Sequence, residues 1–439
     1  IQQEIETLEQ YKRSVITESV TKGLDSSVPM KDSGIQWIGN MPANWKCIRG
    51  KYILKYLQKP VKKDDGVITC FRDGEVTLRS NRREDGFAMA DKEIGYQGVD
   101  IGDLVVHGMD GFAGAIGISD SRGKASPVLN VLGTKQNKRY IMYYLRSMAY
   151  SDVFMALSTG IRVRSCDLRW NKLAELWYLV PPIEEQKRIA EFLDKKCGEV
   201  DALIADIQQE IETLEQYKRS VITESVTKGL DPSVPMIDSG IDWVGIMPKH
   251  WKKMPNKYLM YKEKTICPVY NGESILSLTM KGVVVRDLEA GGKMPTSFDG
   301  YQQIKAGNLL MCLFDIDVTP RCIGLICNNG VTSPAYSQFI MKKNAYAPFY
   351  SYYYLMVDFT KELLHMAKNL RHSLNEEQFG AILAPVPPIE EQQQIADYLD
   401  KKCKEIEEII ADKQSQIETL ESYKKSLIYE CVTGKKEVG

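Results

Sequence analysis

Residues 181–228 read PPIEEQKRIAEFLDKKCGEVDALIADIQQEIETLEQYKRSVITESVTK, and this stretch decides the architecture. Pro181 and Pro182 end whatever precedes them, and Glu184 and Glu185 fall where a helix N-terminus favours negative charge. Only Gly198 interrupts the run before Gly229, a natural helix stop. Apolar residues recur at Ile189, Leu193, Cys197, Val200, Leu203 or Ile204, Ile207, Ile211, Leu214, Tyr217 and Val221, in the steps of three and four that mark a coiled-coil seam. At about 1.5 Å per residue the helix is on the order of 65–70 Å long, more than one compact domain needs. Such a helix requires a partner for its seam.

The chain supplies one. Residues 387–435 read PPIEEQQQIADYLDKKCKEIEEIIADKQSQIETLESYKKSLIYECVTGK, matching the first stretch at a constant offset of 206 residues. Residues 1–45 repeat at the same offset, and residues 1–25 are identical to 207–231. The expected fold is therefore α+β: two α/β modules joined by two long antiparallel helices in a tandem repeat with a pseudo-two-fold axis. The expected divisions are a partial helix copy (1–29), a first module (30–180), a central helix (181–230), a second module (231–386) and a C-terminal helix (387–439). Met30, in VPMKDSG, is a plausible start for an ordinary version of the chain.

The 439 residues exceed one core and predict two or more domains. No apolar run reaches the roughly 18 residues of a membrane span, and no signal peptide is visible, so a reducing cytoplasm is expected. The ten cysteines are scattered without CxxC pairs, which reads as free thiols and no metal site. The net charge of −1 conceals a segregation. Residues 46–180 hold 22 basic and 15 acidic side chains, residues 252–386 hold 15 and 11, and the rest of the chain is strongly acidic. Two basic modules on an acidic spacer suit a two-site reader of a polyanion.

Within the first module, DSGI at residues 32–35, Trp37, Gly39, Pro42 and Trp45 form a loop anchored by its tryptophans, echoed from Asp238 to Trp251. Short strands are expected at residues 67–71, 75–78, 104–107 and 115–119, and again at 275–278, 283–285, 309–314 and 322–327. Aromatic helices follow at 138–156 and 347–364. Their Tyr140, Tyr143, Tyr144, Phe154, Phe349, Tyr350, Tyr353 and Tyr354 read as core. Each helix leads into a basic loop, at 160–165 and 368–373.

This order resembles the specificity subunit of a type I restriction–modification system. The residues that carry the likeness are the DSGIxWxG-P-W loop, YQGVDIGDLVV (96–106) with YQQIKAGNLLM (301–311), and Ser126-Pro127 with Ser333-Pro334. PPIEEQ followed by a long helix completes it, and every part is present twice. The resemblance implies two target-recognition domains, each reading one half of a bipartite double-stranded DNA site. The helices would set their spacing and dock two methyltransferase subunits through Glu184, Glu185, Gln186, Glu390, Glu391 and Gln392. Motor-nuclease restriction subunits would join for cleavage. A coiled-coil protein scaffold, or a specificity subunit of another restriction class, is the alternative reading.

Base-edge and phosphate contacts ask for forked donors, amides and lysines. The candidates are Arg72, Arg79, Asn81, Arg82, Arg83, Lys124, Arg162 and Arg164 in the first module. In the second they are Lys281, Arg286, Lys293, Arg321, Lys368, Asn369, Arg371 and His372. No catalytic motif accompanies them. A GxxxxGK[ST] phosphate loop is absent, no glycine loop is followed by an Asn/Asp-Pro-Pro-aromatic tetrapeptide, and GFAGAIG (111–117) reads as turn chemistry. The chain is expected to hold no cofactor, with S-adenosylmethionine and ATP on partner subunits only.

Overall fold

The computed structural model describes residues 29–35, 37–82, 94–151, 153–156, 168–287, 295, 297–367, 372–436 and 438. All but the last residue of the partial helix copy (1–29), the whole of the first basic loop (160–165), residues 368–371 of the second, and the candidates Arg83, Arg162, Arg164, Lys293, Lys368, Asn369 and Arg371 lie outside them. The chain is mixed α and β, and forms two compact units: Ile1–Ile207 with Gln414–Gly439, and Gln208–Lys413.

Both proline pairs start helices as the sequence dictates. One helix runs Ile183–Lys228 and stops at Gly229, whose φ of +75° is a left-handed cap that glycine adopts without steric cost. The other runs Ile389–Val432 and is followed by Gly434 at φ +72°. In the first unit Lys424 reaches Asp201, and in the second Lys218 reaches Glu407 and Lys413 reaches Glu210.

In the first unit the module enters and leaves the helices side by side. Lys46–Arg49 lies antiparallel to Trp177–Val180, with Lys46 opposite Val180. Between these ends, a four-stranded antiparallel sheet runs in the order Leu54–Tyr56, Leu129–Thr134, Leu104–His107, Ile116–Ile118. Ile68–Cys70 pairs with Val76–Leu78, and Gln97–Val99 with Gly123–Ala125. The helix Lys138–Tyr150 carries Tyr140, Tyr143 and Tyr144 into a core shared with Ile189, Leu193 and Cys197 of one long helix and Leu427, Ile428 and Cys431 of the other. Asn137 caps this helix by accepting from the Tyr140 N–H. It ends at Ser151, and Val153–Ala156 forms a separate turn, so the single expected helix is two.

The second unit repeats the plan with other residues. Lys252–Pro255 pairs with Leu383–Val386, and Lys252 is opposite Val386. The four-stranded sheet is Met260–Glu263, Ser337–Met341, Leu309–Met311, Ile323–Leu325. The helix Ala347–Phe359 buries Phe349, Tyr350, Tyr353 and Tyr354 with Ile222, Val226, Ile395, Leu399 and Cys403. It stops short of the expected residue 364 because Lys361 turns the chain at φ +55°, tying its amine to Asp358 Oδ1 at 2.8 Å and to the Thr319 carbonyl at 2.6 Å.

Of the glycines in residues 111–117, Gly114 turns the chain at φ +96°, while Gly117 lies in the strand Ile116–Ile118 and serves packing. A Cβ on Gly117 would lie 2.0 Å from the Gly74 carbonyl oxygen. Among the described residues no helix is long and apolar enough to cross a membrane, and no group of three or more His, Cys, Asp or Glu is placed to hold a metal ion.

Candidate nucleic-acid interface

Each module is fastened to its helix by the same set of contacts. Trp45, 1% exposed, donates its indole N–H to Glu185 Oε1 at 3.0 Å, and Trp251 donates to Glu391 Oε1 at 3.0 Å. Trp45 meets the Tyr140 ring edge-on at 6.5 Å, and Trp251 meets Phe349 at 6.4 Å. Tyr143 donates to Asp194 Oδ1 at 2.9 Å, and Tyr352 to Asp400 Oδ1 at 2.7 Å. Burial and the neighbouring carboxylate push both phenols far above their ordinary range, so both stay protonated donors.

These contacts revise the expectation for the PPIEEQ motif. Gln186 and Gln392 are fully buried, and their amides serve the chain itself. Gln186 donates to the Pro181 carbonyl and to Gln136 Oε1, each at 2.8 Å, and accepts from the Asn137 N–H at 3.0 Å. Gln392 donates to the carbonyls of Pro387 and Asn344 and accepts from the Tyr346 N–H at 2.8 Å. A side chain so enclosed has no surface to offer a partner subunit. Glu185 and Glu391 hold tryptophans, leaving Glu184 and Glu390 exposed among the six.

The donor candidates divide by environment. Arg79 and Asn81 form one 3-10 turn, Arg79–Asn81. Asn81 donates to Thr77 Oγ1 at 2.9 Å, and Arg79 contacts Thr69. Arg82 reaches Asp73 at 2.6 Å and Glu75 at 3.1 Å, and lies over the Phe71 ring at 4.3 Å. Arg72 pairs with Asp110 at 2.9 Å. Lys124 sits mid-strand opposite Gly98. In the second unit Lys281 is exposed at a hairpin turn, and Arg286 is half-buried just after Gly282–Val285. His372 adopts φ +44° and approaches Asp317 at 3.1 Å. Arg321 is half-buried, and desolvation lowers its pKa.

Sequence reading missed a charged network in the first module. Arg122 Nη2 lies 2.8 Å from Asp65 Oδ2 and 2.9 Å from the Pro60 carbonyl, and Nη1 contacts Asp100. Lys59 bridges Asp100 and Asp103 at 2.7 and 2.5 Å. Bonds from Lys59 and Arg122 hold the Asp100 carboxyl down at about 2. The only sequence signal was a basic residue with several carboxylates in one module, which periodicity cannot pair.

The fold agrees with what comparison finds. A model of the type I restriction modification DNA specificity domain matches residues 324–419. The type I restriction enzyme MjaVIII specificity subunit of Methanocaldococcus jannaschii is 25% identical over 427 residues, covering 91% of this chain and 94% of the relative. The proposed MjaX specificity subunit of the same organism is 25% identical over 332 residues, 71% and 72% of the two chains. A solved chain from work on complex assembly and conformational transition of the type I R-M system superposes with a TM-score of 0.65. It is 11% identical, covers 90% of this chain and 99% of its own, and is a likeness of fold. With the duplicated PPIEEQ helix and the twice-built module on it, these matches make the chain similar to type I restriction–modification specificity subunits.

Proposed function

We propose that the chain is the sequence-reading, non-catalytic subunit of a type I restriction–modification complex, with each module recognising one half of a bipartite double-stranded DNA site. The observation that carries this is the contrast between fastening and cargo. The Trp–Glu bond, the aromatic helix and the paired module ends recur in both units. The residues between those ends diverge. A scaffold performing one task twice keeps its sequence, whereas two readers of different base sequences do not.

The two long helices form an antiparallel coiled coil that fixes the spacing of the half-sites. Supporting this, Glu210 meets Lys413 while Lys218, further along, meets Glu407, nearer the start of the other helix. The exposed Glu184 and Glu390 belong to the surface that docks two methyltransferase subunits, and motor-nuclease subunits complete the assembly. S-adenosylmethionine and ATP reside on those partners. Arg79, Asn81, Lys124, Lys281 and Arg286 are the described side chains put forward for DNA contact. The proposed divisions remain 30–180 and 231–386 for the readers and 181–230 and 387–439 for the helices.

The test is exchange of residues 46–180 for another family module, followed by genome-wide mapping of methylated motifs. One half of the motif changes and the other is retained. A change in both halves rules out independent reading.

A further inference from the structure

In the second unit a groove of about 210 Å³ lies between the module and the long helix, lined by Glu215, Lys218, Arg219, Arg321, Asp358 and Lys361 among others. Two of its four cations are neutralised in place. Lys218 contacts Glu407, and Lys361 lies 2.8 Å from Asp358 Oδ1. Asp358 is also occupied by the Cys322 N–H at 2.8 Å. The two guanidiniums are different. Arg321 donates to the carbonyls of Ile323 and Met280 at 2.8 and 3.0 Å, and Arg219 lies over the Phe359 ring at 5.3 Å. Among the described residues neither has a carboxylate within ion-pair distance, and Glu215 stays exposed at the rim.

Arg321 is partly desolvated and bonded only to carbonyls, and Asp358 and Glu407 offset its charge only from beyond ion-pair distance, which is costly. Arg219 is an exposed second guanidinium lining the same groove, and the two repel each other. An anion with several acceptor oxygens relieves both penalties, and the planar fork of arginine matches phosphate oxygens in pairs. We propose that this groove is a phosphate-binding site, with Arg219 and Arg321 as its forked donors and Lys361 at its edge.

The first unit contains a natural control. Its related groove is lined by Arg72, Lys424 and Lys425 against Asp73, Asp201 and Glu421. Arg72 is paired with Asp110 and Lys424 with Asp201. Lys425, which the 206-residue offset matches to Arg219, lies over Tyr150 at 5.8 Å. Charge is balanced there, and no phosphate is expected.

The experiment titrates inorganic phosphate into the full chain by calorimetry. One phosphate binds per chain. Arg219→Gln and Arg321→Gln each weaken it by about tenfold or more, the worth of one charge-assisted bond, while Lys425→Gln leaves it unchanged. Arg321 also braces a turn, so Arg219→Gln, on an exposed helical position, keeps the test open if Arg321→Gln fails to fold. Duplex binding by the chain with its methyltransferase partners identifies the source. If the phosphate belongs to the DNA backbone, Arg219→Gln lowers the slope of log K against log salt by about one. If it is a free phosphate, the slope is unchanged while phosphate affinity falls. Only the duplex arm rests on the proposed function. No phosphate binding at about 10 mM with no change in slope, or equal phosphate affinity in the wild type and Arg219→Gln, overturns the site.

Discussion

Trp45 donates its indole N–H to Glu185 at 3.0 Å, and Trp251 makes the same bond to Glu391. The tryptophan closes the loop before each module, and the glutamate stands on the first turn of the long helix after it. One hydrogen bond therefore joins the two ends of each module to a common point. Because the strands Lys46–Arg49 and Trp177–Val180 are paired beside it, the module is a closed excursion from the helical scaffold.

Replacing Glu185 by alanine leaves a buried N–H without its acceptor, a cost of about 1–3 kcal/mol. Glu185→Gln retains a carbonyl oxygen at the same reach and restores most of the loss. Chemical denaturation of the three proteins checks this. Equal stability in all three would show that the bond contributes nothing.

The Arg122 network predicts acid sensitivity in the first unit. Bonds from Arg122 lower the Asp65 pKa, and bonds from Lys59 and Arg122 hold Asp100 at about 2. Carboxyls depressed in the folded state stabilise it fully above their unfolded pKa of about 4, and that contribution is lost as pH falls toward 2. Arg122→Gln should lower stability at neutral pH by about 1–2 kcal/mol, since Asp100 is half exposed and solvent screens part of the interaction. It should also flatten the melting profile between about pH 4 and 2. An acid limb as steep as that of the wild type would remove the network from the account.

What was legible in the sequence follows from range. The long helices show in spacing and in an exact offset, and the aromatic helices show as rings at helical intervals whose core role Tyr140 and Tyr350 confirm. Half of each four-stranded sheet was legible because short apolar runs are local, namely Leu104–His107 and Ile116–Ile118 in one and Leu309–Met311 and Ile323–Leu325 in the other, whereas Leu54–Tyr56, Leu129–Thr134, Met260–Glu263 and Ser337–Met341 were not expected. Pairings across distance were not legible: Arg122 meets Asp65 over 57 positions, and nothing local marks the choice. The same blindness affected the donor list. Arg72 and Arg82 look like Lys281 in sequence, yet their charge is answered by Asp110, Asp73 and Glu75. Gln186 read as a partner-binding residue because a fully buried amide has no sequence signature beyond its neighbours.

That difference in environment separates the candidates experimentally. Lys281 is exposed at a hairpin turn, so Lys281→Ala should reduce the salt slope of duplex binding by about one and weaken all sequences alike. Arg82, held by two carboxylates and a ring, should leave that slope unchanged when replaced by alanine while lowering stability by about 1 kcal/mol. Slope measurements over a range of salt concentrations decide it. A reversed result would mean that Arg82 leaves its acidic partners on binding DNA.

The spacer proposal is tested by lengthening both helices. Seven residues inserted after Ile207 and after Lys413 fall where the two compact units divide. Seven residues are two turns of a coiled coil, so the apolar seam keeps its register. The ion pairs Asp201–Lys424 and Lys218–Glu407, which lie on opposite sides of the insertion points, can both re-form. The pair lengthens by about 10 Å at roughly 1.5 Å per residue, equal to about three base pairs at about 3.4 Å each. Three base pairs also turn the groove by about 100°, since a helical turn takes about 10–10.5 base pairs. Full accommodation therefore competes with twist. The expected result is the same two half-sites with a spacer one to three base pairs longer and weaker binding, read from methylated motifs. Methylation persisting at the original spacing with undiminished strength would mean that the helices do not measure the site.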